Sequence, residues 1–221
     1  MRRITLVLAS ALGAVVCLLG GTVLFSALQD TARTGTNSAE SAALGASADI
    51  KLATATPNAA NPADIDCGTF SENLSSGLFN YTDLTPGFFS EVTLFCIKNV
   101  GSQSVTLSAL ADELTDVDVA CTGDEAANGD ATCGGDQAGE LSAVLKPGYK
   151  STPCQSSQGG SFPGPLLKDH PTTPVNLGTL AAGATGCYMT IVVYPSATPN
   201  ADVQKAQSDR VTWRIKFSAQ A

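Results

Sequence analysis

Hydrophobic positions along this chain keep three different rhythms. Behind Arg2 and Arg3 runs an uncharged, largely apolar stretch from Ile4 to Gln29, and the next charged side chain is Asp30. A positive start, an apolar middle and small residues at Ser26 and Ala27 form the layout of a bacterial export signal, with cleavage predicted at Ala27. The run is longer than the about 7–15 residues of a usual signal core and could cross about 30 Å of hydrocarbon as a helix, so an uncleaved anchor is the second reading. Gly13, Gly20 and Gly21 weaken it as a permanent span.

The second rhythm is period two. Asp49–Ala53 predicts a short strand, and the Pro/Asn/Ala stretch Thr54–Ala63 a loop. Leu84-Thr-Pro-Gly87 is a turn, with Pro86 and Gly87 at positions a β-turn favours. Ser90–Asn99 predicts a strand with Val92, Leu94 and Cys96 on one face and Phe95 and Ile97 on the other, hence covered on both sides. Asn99-Val-Gly-Ser102 then turns the chain, and Ser104–Leu110 returns as the second arm of a hairpin. Gly186–Tyr194 is apolar on both faces. In Val211–Ala219, Val211, Trp213, Ile215 and Phe217 alternate with Thr212, Arg214, Lys216 and Ser218, as in a sheet with one wet side.

The third rhythm is the loss of one. Residues 111–176 are rich in Gly, Asp, Ser and Pro and read as a long irregular insert, which a compact domain tolerates when it is functional or stapled. The predicted fold is all-β: a jelly-roll-like antiparallel β-sandwich with a cysteine-rich loop insertion, preceded by the hydrophobic signal helix. The chain divides into a signal over 1–27, a polar arm or linker over 28–47, and a sandwich domain over 48–221 whose insert spans about 111–176.

Charge and cysteines narrow the setting. Losing Arg2 and Arg3 with the signal makes the chain more negative than its whole-chain net charge of −8. Such a surface excludes nucleic acid, whose binding needs Lys and Arg against phosphates, and suits a soluble exported protein. Of the seven cysteines, Cys17 lies in the signal; Cys67, Cys96, Cys121, Cys133, Cys154 and Cys187 remain, an even set that predicts disulfides in an exported chain. Cys121–Cys133 is the one predicted pairing, because it closes a short Gly/Asp-rich loop. Thiolate metal ligation is the rival, but no CxxC occurs.

Candidate chemistry is sparse. A zinc peptidase needs HExxH or an equivalent, and the single histidine, His170, sits between Asp169 and Pro171 in a predicted surface loop. No GxSxG occurs for serine catalysis. The pairs Asp116/Asp118 and Asp112/Glu113 read as solvated faces. In the loop from Cys121 to Asp136, Asp124, Asn128 and Asp130 approximate part of a calcium loop. Ala126 and Gly135 stand where that loop needs ligands, so a solvated, disulfide-closed loop competes with the calcium reading. The expectation is no enzyme, no catalytic residue and no cofactor.

Several blocks together resemble the TasA/camelysin family. They are Gly20-Gly-Thr-Val-Leu-Phe-Ser-Ala27 with Ala48-Asp-Ile-Lys-Leu52, then Leu84-Thr-Pro-Gly87, Phe95-Cys-Ile-Lys-Asn-Val-Gly-Ser102, and Asn200 to Gln207 followed by Val211 to Gln220. The resemblance covers about half of the mature chain. It implies a jelly-roll sandwich, a SipW-dependent signal and a secreted or cell-surface location. Its members include fibre-forming biofilm matrix proteins and a surface protein described as a metallopeptidase. The stretch between Asp112 and Asn176 and the six cysteines depart from the family pattern.

The functional expectation is a non-enzymatic surface or matrix protein that self-associates or joins other surface and matrix proteins. The arm after Ala27 could donate a strand to a neighbour's sheet, and the membrane would be met only through the signal segment. A secreted binding module, with the cysteine-rich insert as its recognition face, is the alternative; a camelysin-like metallopeptidase is the third.

Overall fold

The structure, a computed structural model, describes residues 29–33, 48–74, 77–78, 80–82, 84–130, 132–135, 137–155 and 162–221. The predicted signal with its cleavage position Ala27, and most of the polar arm, lie outside the described residues. No helix among the described residues is long and apolar enough to cross a membrane.

The described residues are all-β and hold ten strands: β1 (Gln29–Arg33), β2 (Ile50–Pro57), β3 (Ile65–Cys67), β4 (Thr93–Asn99), β5 (Val105–Asp118), β6 (Gln137–Ala138), β7 (Lys146–Thr152), β8 (Val175–Leu180), β9 (Thr185–Val193) and β10 (Asp209–Gln220). Among the described residues two short α-helices, α1 (Gly123–Ala127) and α2 (Asn200–Lys205), interrupt them. One antiparallel sheet runs β1-β10-β5-β6 with β8 also on β5, and the other runs β3-β2-β4-β9-β7.

The two sheets share a core. Ile50, Leu52, Phe95, Ile97 and Tyr188 come from the second sheet, and Leu107, Ala109, Leu177, Ile215 and Phe217 from the first. Phe95 meets Phe217 across the interface at 5.1 Å between ring centroids. Each Leu, Ile or Phe among them, removed from water, contributes about 1.5–3 kcal/mol. The alternation read in β10 is the one observed, with Ile215, Phe217 and Ala219 buried.

Strands β4 and β9 are apolar on both faces because both are covered. Phe95 and Tyr188 face the shared core, while Cys96 and Cys187, paired across the two strands, face a small outer cluster with Ala53, Ile65 and Phe70. Two disulfides lie there, Cys67–Cys96 and Cys154–Cys187, and the third is Cys121–Cys133 as read from the sequence. Three bridges within one chain mark an oxidising, extracellular or surface environment.

Three sequence expectations are corrected, the first at residues 54–57, which are not loop but the end of β2, paired with β3. β4 and β5 are not a hairpin: β4 pairs with β2 and β9, and β5 with β10, β6 and β8. The turn between them crosses from one sheet to the other. Fully buried Asn99 holds that corner, its Nδ2 donating to the carbonyls of Gln103, Leu180 and Ala181 while its Oδ1 accepts from the Gly101 N–H. The stretch 111–176 is also more regular than its composition implies. β5 continues to Asp118, and β7 and the start of β8 fall inside the stretch.

A bulge interrupts the continuation of β5. Thr212 pairs with Thr115 and Arg214 with Asp112, so Glu113 and Leu114 stand opposite the single residue Trp213. Glu113 takes φ 51°. One extra residue reverses which face each side chain meets. Before the bulge Val105, Leu107, Ala109 and Ala111 point inward; beyond it Asp118 is buried while Val119 is 49% exposed.

Candidate functional site: a buried carboxylate cluster

The reversed phase of β5 turns Asp116 and Asp118 toward the interior, and Asp209, at the start of β10, is the direct cross-strand partner of Asp118. The loop closed by Cys121–Cys133 folds over this end of the sheet. α1 begins there with Thr122 as its cap: the Glu125 N–H donates to Thr122 Oγ1 at 3.2 Å, and the Glu125 carboxylate accepts from the Thr122 N–H. That capping box leaves Glu125 fully buried, its Oε1 2.9 Å from the hydroxyl of Ser208. Asp130 follows after the turn at Gly129, whose φ of 79° suits glycine. Glu140 enters ahead of the 3-10 turn Leu141–Ala143.

Six carboxylates therefore gather at one end of the molecule: Asp116, Asp118, Glu125, Asp130, Glu140 and Asp209. Backbone N–H groups fix most of them. Asp118 accepts from Ala120 at 3.1 Å and from Gly134 at 2.5 Å. Asp116 Oδ2 accepts from Ser142 at 2.6 Å, and Asp209 Oδ2 from Glu140 and Leu141 at 2.6 and 2.9 Å. Thr132 donates its N–H and hydroxyl to Asp130 Oδ1. In four of these groups one oxygen is tied and the other is buried without a hydrogen-bond partner: Asp116 Oδ1, Asp130 Oδ2, Glu140 Oε2 and Asp209 Oδ1.

The electrostatics follow from the crowding. Burial pushes the Asp209 carboxyl up to about 7; the charges of Asp116 and Glu140 add to that, against the pull of the N–H groups of Glu140 and Leu141. Glu140 is raised by burial and then by the charge of Asp130, with smaller contributions from Asp116 and Asp118. The ion pairs Lys51–Glu72 and Arg214–Glu113 lie elsewhere.

Asp209 also lines a cleft of about 710 Å³, bounded by Leu84, Leu141, Val192, Tyr194, Val211 and Trp213. The cleft opens between β9, β10 and the loop that carries the Leu84–Gly87 turn.

Of the calcium candidates read from the sequence, only Asp130 belongs to the cluster. Asp124 and Asn128 are exposed on α1 and at its end, and Asn128 Nδ2 donates to the Asp124 carbonyl at 2.8 Å. Asp116 and Asp118 are not a solvated face, because the bulge turns them in. His170 is not a surface residue either. It is fully buried, its Nδ1 accepts from the Ala111 N–H at 3.0 Å, and its ring stands edge-on to Tyr149. Burial lowers its pKa. Sequence reasoning missed Glu125, Glu140 and Asp209 as partners of this site. The Thr122-x-x-Glu125 box and the Asp116-x-Asp118 spacing were the available signals.

Compared with family models, curated proteins and solved structures, the chain matches none.

Proposed function

We propose that this chain is a non-enzymatic, exported structural protein of the cell surface or extracellular matrix, a jelly-roll sandwich that assembles by passing its first strand to a neighbour. The observation that carries this reading is the pairing of β1 with β10, from Gln29 opposite Gln220 to Arg33 opposite Lys216. Without β1, β10 presents an open row of N–H and C=O groups, and an edge of that kind takes up another strand. Residues 34–47 join β1 to the first core residue, Ala48. Fourteen residues extended at about 3.4 Å each reach nearly 50 Å, enough to seat β1 on the β10 of the next molecule as readily as on its own. The same backbone pairing repeated head to tail builds a fibre.

The test compares the exported chain with one that starts at Ala48, which keeps β2 and its core residues Ile50 and Leu52. Light scattering and electron microscopy of the exported chain should give oligomers or fibres whose abundance rises with concentration. The shortened chain should stay monomeric. If both remain monomeric at high concentration, the assembly reading fails.

The cleft beside Trp213 favours a second reading, a secreted binding module for an apolar ligand. Its signature would be a ligand-dependent change in Trp213 fluorescence in the monomeric shortened chain.

A further inference from the structure

We propose that Asp118, Glu125 and Asp209, with Asp130 beside Asp118, bind a calcium ion that clamps the Cys121–Cys133 loop onto the ends of β5 and β10. Carboxylate oxygens of Asp118, Glu125 and Asp209 all lie within 4.8 Å of one another. Oxygens bound to one calcium at about 2.4 Å can stand at most about 4.8 Å apart, and the three meet that requirement.

Asp130 supplies the independent sign. It is only 9% exposed, it groups with Asp118 and Cys133 within 4.8 Å on Asp118's side of the site, and its Oδ2 has no hydrogen-bond partner. A carboxylate oxygen buried without a donor costs the fold its lost hydration, and a bound cation restores what water gave. The unpartnered oxygens of Asp116, Glu140 and Asp209 at the same end of the molecule add to that demand.

The donor set selects the ion. The side chains grouped around Asp118 offer carboxylate oxygens, and the one sulfur among them, Cys133, is held in a disulfide. Oxygen alone suits a hard cation rather than zinc or copper. Ligands drawn from two strands, a helix and a loop make an irregular shell, which calcium accepts and magnesium, with its strict octahedron, does not. The site differs from an EF-hand, whose ligands follow one another along a single loop.

The exported chain, stripped with EDTA and dialysed, is titrated with calcium chloride by calorimetry while its unfolding midpoint is followed. The expected result is saturable heat and a midpoint that rises with calcium. D118N and D209N should each weaken binding about tenfold or more, while D124N and N128A, on the exposed side of α1, leave it unchanged. If D118N does not fold, the wild type and D209N carry the test. Folded wild type that shows neither heat nor a midpoint shift at about millimolar calcium overturns the proposal, as does full-strength binding by D209N.

Discussion

Asp118 and Asp209 stand directly opposite one another in the β5–β10 ladder, two carboxylates in one cross-strand pair. Like charges in that position oppose pairing, and burial of Asp118 sharpens the conflict. On the Asp209 side the conflict shows as a carboxyl pushed up to about 7, chiefly by burial. Three features of this end of the molecule bear on that conflict: the bulge that turns Asp118 inward, the stapled loop laid over it, and the N–H groups that hold the acids in place.

In the calcium-free protein, D209N should therefore stabilise. Asparagine keeps an oxygen for the N–H groups of Glu140 and Leu141 and removes the charge. Asp209 titrates near 7 in the fold, above its unfolded value of about 4, so the unfolded chain loses its proton first and wild-type stability falls as pH rises through that window. The gain from D209N should be absent below about pH 4, grow between about 4 and 7, and reach on the order of 0.5–1 kcal/mol above it. Urea unfolding in EDTA across that range measures it. In calcium the sign should reverse.

His170 titrates in the opposite sense. Its pKa lies below the ordinary value of about 6.5, so the unfolded chain takes up the proton that the fold refuses. Its stability contribution is complete above about pH 6.5 and declines as pH falls below it. Protonation would also remove the Nδ1 acceptor from the Ala111 N–H. H170F should be less stable than wild type at pH 7.5, and the gap should narrow by pH 5. Paired denaturation curves at the two pH values, in calcium, read the difference; a constant gap would show that His170 does not titrate against folding.

How much of the fold and the acidic site was legible in the residues varies with how local the signal is. The alternation of Val211 to Phe217 and the double-sided strand around Cys187 are period-two patterns that need no partner to be read. The Cys121–Cys133 bridge is short enough to infer from loop closure. The crossing at Asn99 was not legible, because a turn sequence says nothing about which sheet the chain enters next; the buried amide that ties Gln103 to Leu180 decides it. The inward face of Asp116 and Asp118 was hidden for a related reason. It depends on Glu113 and Leu114 standing opposite Trp213, a mismatch between strands about a hundred residues apart in sequence. His170 was misread because a polar residue in a Pro-flanked turn ordinarily faces water, and here Ala111 and Tyr149 receive it.

Opening the Cys121–Cys133 bridge should affect both stability and metal. C121S/C133S should cost about 2–3 kcal/mol through the freed loop and, because Glu125 and Asp130 sit inside it, weaken calcium binding as well. Thermal unfolding with and without calcium separates the two effects: the calcium-induced rise in midpoint should shrink in the variant. An undiminished rise would place the ion elsewhere.

The most direct measurement of the strand-exchange account is a covalent trap at the β1–β10 pair. Thr31 lies opposite Ser218, so T31C/S218C places two cysteines in register across that pairing. Oxidised at high concentration and run without reductant, the double variant should give a ladder of dimers and higher species whose bridges, mapped by mass spectrometry, join residue 31 of one molecule to residue 218 of the next. A single monomer band with the bridge closed inside each chain, at every concentration, would contradict the account.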